Sequence, residues 1–293
     1  MNPFVTIIIP CHNRASILDA LVGSIPSVEG LEVIVVDDHS TEDLSEVSLK
    51  RFRHHKFIKN APGLRNAGTA RNTGLEHASG DYVFFADSDD LIVRDGFIKC
   101  LSILRDKKPD ILFAKCTSFK DGDGGPGKRH INYNLLVQLV INGAPVEILA
   151  RSVVPWAKFI CRGFLNRHHL RFEPQRYSND IVFSAALLTC KASVHVTEEV
   201  VYSVREGNDS LTSDLSLDSS LMRIEALCRY NAVLKGNGMG YLMVSALPFL
   251  ARMFRRDKCQ TIVCALRIRT SGYPIFYTWW SLKKIYFRWR IGI

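Results

Sequence analysis

Tyr82-Val83-Phe84-Phe85-Ala86 runs directly into Asp87-Ser88-Asp89-Asp90. An apolar run without polar alternation reads as a strand buried on both faces, the habit of a parallel sheet covered by helices. Two earlier stretches repeat the pattern: Val5-Thr6-Ile7-Ile8-Ile9 before Pro10-Cys11-His12-Asn13, and Val33-Ile34-Val35-Val36 before Asp37-Asp38. Such sheets bind ligands at their carboxyl edge. Asp37, Asp38, Asp87, Asp89 and Asp90 therefore gather on one edge, and that much negative charge calls for a cation. D-x-D alone is a common solvated turn. Directly after a buried strand, its hard oxygen ligands suit Mg²⁺ or Mn²⁺ bridging to a diphosphate.

Outward from these strands, helical and strand patterns alternate to about residue 120. Ile17, Leu18, Leu21, Val22 and Ile25 recur at helical spacing, and Ser40-Thr41-Glu42-Asp43 predicts a capped helix reaching about Phe52. Further helices are expected over about 64–78 and 97–106, and a strand over 110–119. This order predicts βαβ units with right-handed crossovers. Asp121–Lys128 nearly spells a phosphate-binding loop, but Arg129 stands where a magnesium-binding hydroxyl belongs, so it reads as a plain surface loop. Beyond it come helices near 133–142 and 179–190, an extended stretch 193–204, a polar loop 206–216, and helical patterns from Leu217 onward.

The chain has 293 residues, 47% of them apolar, enough for a large buried core. Its eight cysteines are scattered, without a C-x-x-C pair or zinc spacing, and read as reduced thiols of a cytosolic protein; no signal peptide is expected. The formal charge of +9 lies in one place. Residues 252–293 hold ten Lys/Arg and one acid, Asp257, so everything before them is neutral. A single-sign terminal block points to an anionic partner. Within it Ile275, Trp279, Leu282, Tyr286 and Trp289 share a helical face opposite Lys284 and Arg288, which suits a helix lying in a membrane interface.

Four motifs in order carry a family resemblance: Ile7–Asn13, Val35–Thr41, Gly68-Thr69-Ala70-Arg71-Asn72-Thr73-Gly74 and Ala86–Asp90. They resemble a family 2 glycosyltransferase of the bacterial surface-polysaccharide type. The resemblance implies an α/β GT-A (Rossmann-like) fold: a mixed, mainly parallel sheet flanked by helices, here with a helical, basic C-terminal extension. The expected division is 1–216 for the transferase domain (nucleotide half 1–120, acceptor half 121–216) and 217–293 for a helical region able to meet a membrane. It further implies a nucleotide-sugar donor, usually uridine-linked, held by Pro10, His12, Asn13, Asp38, Arg71 and Asp87, with Asp87 and Asp89 on Mn²⁺ or Mg²⁺. His12 is open between stacking on uracil and bonding its own loop, and Arg71 between the nucleotide and a nearby acid. Gly68 and Gly74 read as sites of close backbone packing.

Later elements are similar to those of polysaccharide-building members: Val154-Pro155-Trp156-Ala157-Lys158-Phe159, and Tyr202–Arg205 followed by Ser210-Leu211-Thr212. Trp156, Lys158 and Arg205 are thereby expected at the acceptor or phosphates. Where the family carries Glu-Asp opening a helix, this chain has Asn179-Asp180, keeping the Asp that resemblance makes the catalytic base; a simple helix cap is the other reading. The expected activity is a metal-dependent, inverting hexosyl or N-acetylhexosaminyl transfer from a UDP-sugar to a hydroxyl of a glycan or lipid-linked oligosaccharide, at the inner face of the cytoplasmic membrane. The alternatives are a polyprenyl-phosphate sugar transferase, whose anionic acceptor needs no base, and a non-catalytic protein binding an anionic surface or nucleic acid. Nucleic acid is not the expected partner, because the basic tail interleaves aromatic anchors at 279, 280, 286 and 289 and no base-reading fold is in view.

Overall fold

The computed structural model describes residues 2–44, 47–63, 65–207, 214 and 216–275. Strands β1 (Val5–Cys11), β2 (Leu31–Asp37), β3 (His54–Lys59) and β4 (Tyr82–Phe85) pair in parallel. With β5 (Leu91–Ile92), β6 (Ile111–Lys120), β7 (Lys158–Cys161) and β8 (Val194–Glu206) they form one sheet of order β3-β2-β1-β4-β7-β6-β8-β5. β7 runs antiparallel between β4 and β6, β6 and β8 are parallel, and β5 closes the edge antiparallel. The sheet is thus mixed and mainly parallel, as expected.

β1, β2 and β4 are buried along their whole length, which is why their sequences do not alternate. The crossover helices are α1 (Ala15–Ser24), α2 (Ala67–His77) and α3 (Arg94–Lys107), followed by α4 (Ile131–Ile141), α5 (Arg162–Arg167) and α6 (Ile181–Thr189). Three helices finish the described chain: α7 (Leu217–Gly236), α8 (Leu247–Phe254) and α9 (Lys258–Thr270). α7 packs on α6, and its Ile224, Leu227, Tyr230 and Leu234 are continuous with the main core. Phe84, fully buried, meets Phe97, Phe159 and Tyr202 with ring centroids 4.8–5.9 Å apart. It joins the parallel half of the sheet to the antiparallel half.

Two glycines set how closely α2 sits. A Cβ on Gly74 would lie 2.4 Å from Ile8 Cγ2, and one on Gly68 would lie 2.4 Å from the Glu173 carbonyl oxygen. Both serve close backbone packing, as expected of them.

The helix expected from Ser40 to Phe52 does not form; the described part is irregular except for a 3₁₀ turn at Leu49–Arg51. Its intended caps are used elsewhere. Ser40 N donates to Asp37 Oδ1 (2.8 Å), while Thr41 N donates to Asn13 Oδ1 (2.7 Å). β3 was not anticipated, because His54-His55-Lys56-Phe57-Ile58-Lys59 is a half-buried edge strand dominated by polar residues. Loop residues 208–213 and 215 and the proposed interfacial segment after Ile275 lie outside the described residues. Among the described residues no helix is long and apolar enough to cross a membrane, and the eight cysteines are unpaired.

Candidate active site

Strand order turns back between β1 and β4, so the loops after β1, β2 and β4 border one crevice. Pro10 is accommodated at the end of β1 because pairing with β4 stops at Ile8–Phe85, where the absent N–H would have pointed. His12 is exposed, and its Nδ1 donates to the Asp38 carbonyl (2.8 Å). That bond fixes the ring and leaves its faces open. Asn13, expected at the nucleotide, is bonded within the protein as well. Its Oδ1 accepts from Thr41 N and Thr41 Oγ1, and its N donates to Ser40 Oγ (2.8 Å), so it staples the β1 and β2 loops together.

Asp38 is buried, accepting from Asn60 Nδ2 at 2.8 Å. Asn60 also donates to Thr69 Oγ1 (3.1 Å) and accepts from Thr73 Oγ1 (2.8 Å), tying β2, the end of β3 and α2 into one polar cluster. Recognising Asn60 from sequence would have required recognising β3.

The five carboxylates do gather on the edge, but each has a distinct partner. Arg71, nearly buried on α2, reaches Asp87 Oδ1 through Nη2 (2.5 Å) and Asn179 Oδ1 through Nη1 (2.9 Å). Asp89 Oδ2 lies 2.6 Å from Arg14 Nη1. Burial and the neighbouring Asp87 raise the Asp89 carboxyl above its ordinary value. Asp90 faces inward, accepting from Arg205 N (2.7 Å) and from the Tyr202 hydroxyl, which itself accepts from Asp87 N (2.7 Å). Arg205 also donates from Nε to the Asp89 carbonyl (2.8 Å) and pairs with Asp121 (2.9 Å). Arg205 and Tyr202 on β8 therefore shape the acidic loop from behind.

Asp180 stands at the head of α6 without a side-chain capping bond, so it is not held there as a helix cap. Ser178, with φ of 53°, turns the chain into this position. The carboxylate is enclosed by protein yet keeps part of its surface open, and burial pushes its pKa up to about 6, with Arg71 opposing. An acid poised there accepts protons near neutrality.

Trp156 and Lys158 are not at the surface expected of acceptor or phosphate contacts. They are 3% and 1% exposed. Trp156 stacks on Tyr202 (centroids 5.7 Å, 16°), and Lys158 Nζ donates to the carbonyls of Ser152 (3.2 Å) and Val154. Burial lowers Lys158 to about 7, with Asp180 pulling the other way. Lys158 thus feels the charge of Asp180 from within the core, and Trp156 backs the tyrosine that holds the acidic loop.

Among the described residues no group of three or more His, Cys, Asp or Glu side chains is arranged to hold a metal unaided. Asp87 and Asp89 fit the other common arrangement, in which one or two carboxylates share the cation with substrate phosphates. Burial first, and then the neighbouring Asp87, raise the Asp89 carboxyl, and a cation there would offset both.

A profile of the family described as Glycosyl transferase family 2 matches residues 6–165. Glycosyltransferase GlyG of Streptococcus pneumoniae is 22% identical over 265 residues, covering 85% of this chain and 87% of its own. Poly(ribitol-phosphate) beta-glucosyltransferase of Bacillus spizizenii is 29% identical over 143 residues, 46% of this chain and 22% of that protein. The chain spans only 18% to 42% of the length of several curated relatives it matches. Among solved structures, residues 1–349 of S. aureus TarS in complex with UDP-GlcNAc superpose with a TM-score of 0.64 at 19% identity, over 87% of this chain and 74% of that one. The mannosyltransferase PcManGT of Pyrobaculum calidifontis, in complex with GDP-Man and Mn²⁺, gives 0.58 at 19% identity, over 93% and 81%. At these identities the structural likeness speaks to the fold.

Proposed function

The chain belongs to glycosyl transferase family 2, and on that premise we propose that it is an inverting transferase moving a hexosyl or N-acetylhexosaminyl group from a UDP-sugar to a hydroxyl of a glycan or lipid-linked oligosaccharide. The observation that carries the reading is Asp180: a carboxylate poised near pH 6, opening the helix beside the Asn179 that Arg71 holds. In the proposed reaction Asp180 takes the acceptor proton while the hydroxyl attacks the anomeric carbon on the face opposite the diphosphate. Inversion of an α-linked donor gives a β product, and the beta linkage in the name of the Bacillus relative is consistent with that.

Asp38 and the open His12 ring are the proposed contacts for the uracil and ribose, with Pro10 shaping the base pocket. The UDP-GlcNAc bound to TarS supports a uridine donor. Mn²⁺ or Mg²⁺ held by Asp87 and Asp89 would neutralise charge on the departing phosphate oxygens. This chain's own part is to hold and aim those carboxylates, through Arg71 on Asp87 and Tyr202 and Arg205 behind the loop. The proposed place of work is the cytoplasmic face of an anionic membrane, in surface polysaccharide synthesis, supported by the concentration of positive charge after residue 251.

The test is a donor screen by UDP release across UDP-glucose, UDP-galactose, UDP-N-acetylglucosamine and UDP-N-acetylgalactosamine, with and without Mn²⁺. The reading expects one donor to be preferred and turnover to need the metal. Release from none of the four, with turnover of a guanosine-linked sugar instead, would overturn it. Unchanged turnover after Asp180→Asn would favour a polyprenyl-phosphate acceptor.

A further inference from the structure

α9 turns two unlike faces outward and inward. Thr261 and Ile268 are buried, and Cys264, Arg267 and Ile268 border a cavity of about 270 Å³ against Leu221, Ile224 and Cys228 of α7. On the far side Cys259, Ile262, Val263 and Leu266 form a stripe at spacings of three and four residues. Ile262 is 55%, Val263 47% and Leu266 57% exposed, among the most exposed large apolar side chains described. Phe254, at the end of α8, adds another at 48%, with Lys258 Nζ 5.8 Å from its ring centroid.

A continuous apolar stripe on the last described helix is not the ordinary scatter of single surface hydrophobes. Its surroundings say what covers it. At 3.6 residues per turn, Arg267 lies on one flank of the stripe and Lys258 and Arg269 on the other. Residues 252–275 hold six basic side chains and one acid, Asp257, whose carboxylate is already used to cap α9 by accepting from Gln260 N (2.8 Å). An apolar stripe between two basic borders matches a surface that is apolar below and anionic above.

We propose that the outward face of α9, Ile262, Val263 and Leu266 with Phe254 beside them, is where this protein docks on an anionic lipid bilayer, the apolar side chains entering among the acyl chains and the arginines and lysines meeting lipid phosphates. This rests on the membrane location proposed above and names the surface that achieves it. The docked helix lies in the membrane plane, not across it. The acidic edge is built from the loops after β1, β2 and β4, elements distinct from α9.

Co-sedimentation of the full chain with vesicles of phosphatidylcholine alone and of phosphatidylcholine with phosphatidylglycerol tests it, comparing wild type, Ile262→Asp/Leu266→Asp and Arg267→Gln/Arg269→Gln. All altered positions are exposed, and thermal melts monitor the fold. We expect binding to anionic vesicles, a loss of at least tenfold in the Asp variant, and a weakened, less salt-sensitive binding in the Gln variant. If the Asp variant binds as wild type does, the face is not the dock, whether covered by residues 276–293 or unused, and the membrane location stands on other residues. If wild type ignores anionic vesicles, both face and location fall. If the Asp substitutions instead convert an oligomer to a monomer, the stripe meets a second copy of the chain and the proposal is overturned.

Discussion

Arg14 and Asp89 form an ion pair across the mouth of the crevice, Nη1 to Oδ2 at 2.6 Å. Arg14 adopts φ of 111°, an uncommon backbone for a non-glycine residue, and Glu42 Oε2 accepts from its N (2.7 Å) and from Ala15 N (3.0 Å). The loop is thus tied while the guanidinium reaches the carboxylate assigned to the cation. Its positive charge balances Asp89.

A cation binding through Asp89 Oδ2 would compete with that guanidinium. The pair is about one-third exposed, so it is worth about 1 kcal/mol at most. Arg14→Ala should therefore tighten Mn²⁺ binding to the nucleotide-free protein by up to about fivefold. Electron paramagnetic titration of free Mn²⁺ measures this. Unchanged affinity would show that the pair does not guard the site.

Asp180→Asn should lower turnover by about 10²–10⁴ with donor affinity nearly unchanged, because the lost proton acceptance matters only in the transition state. In wild type the base works when ionised, so turnover should fall about tenfold per pH unit below the carboxyl's value of about 6 and level off above it. A rate profile flat from pH 5 to 8 would contradict the assignment.

The same group has a stability consequence. Its folded pKa of about 6 lies above the ordinary 3.8, so the folded protein keeps this proton to higher pH than the unfolded chain does. Ionising Asp180 therefore costs stability: nothing below about pH 4, increasingly from 4 to 6, and fully above 6. Asp180→Asn should raise the melting temperature at pH 7.5 and leave it little changed at pH 4, as read by calorimetry.

Tyr202→Phe removes the hydroxyl that accepts from Asp87 N and donates to Asp90, while keeping the ring stacked on Trp156. Leaving those buried groups unmatched should cost about 1–3 kcal/mol. Because the bonds belong to the acidic loop, Mn²⁺-supported UDP binding should weaken with it. A stability loss with undiminished UDP affinity would make the tyrosine a core residue only.

Gly68→Ala would press a Cβ to 2.4 Å from the Glu173 carbonyl and 2.9 Å from Asn179 Cβ. The segment that yields is the one leading into Asp180. Turnover should fall more than donor affinity, whereas Gly74→Ala, which meets Ile8 in the core, should act mainly on stability. Equal effects of the two on turnover would remove the distinction.

What the sequence disclosed followed burial. β1, β2 and β4 were legible because burial on both faces leaves uninterrupted apolar runs, and the acidic loops follow from where those strands end. β3 was hidden because only one face of an edge strand is shielded. The false helix after Ser40 arose because good capping residues bond equally well across a loop, and Asn13 supplied the acceptor. Trp156 and Lys158 pose a related difficulty: such side chains in a motif look like ligand contacts, and only the fold shows Trp156 stacked on Tyr202 and Lys158 spending its protons on backbone carbonyls. Tyr202 and Asn179 act through contacts more than a hundred residues distant in sequence. No local pattern announces those.

A uridine diphosphate donor and a divalent cation are proposed to meet on the Asp87–Asp89 edge. Calorimetric titration of UDP into wild type and Asp89→Ala, each with and without Mn²⁺, tests it without knowledge of the acceptor. UDP should bind wild type at least tenfold more tightly with Mn²⁺, and Asp89→Ala should abolish the metal's effect. Equal UDP affinity in the two proteins with Mn²⁺ present, both folded, would contradict it.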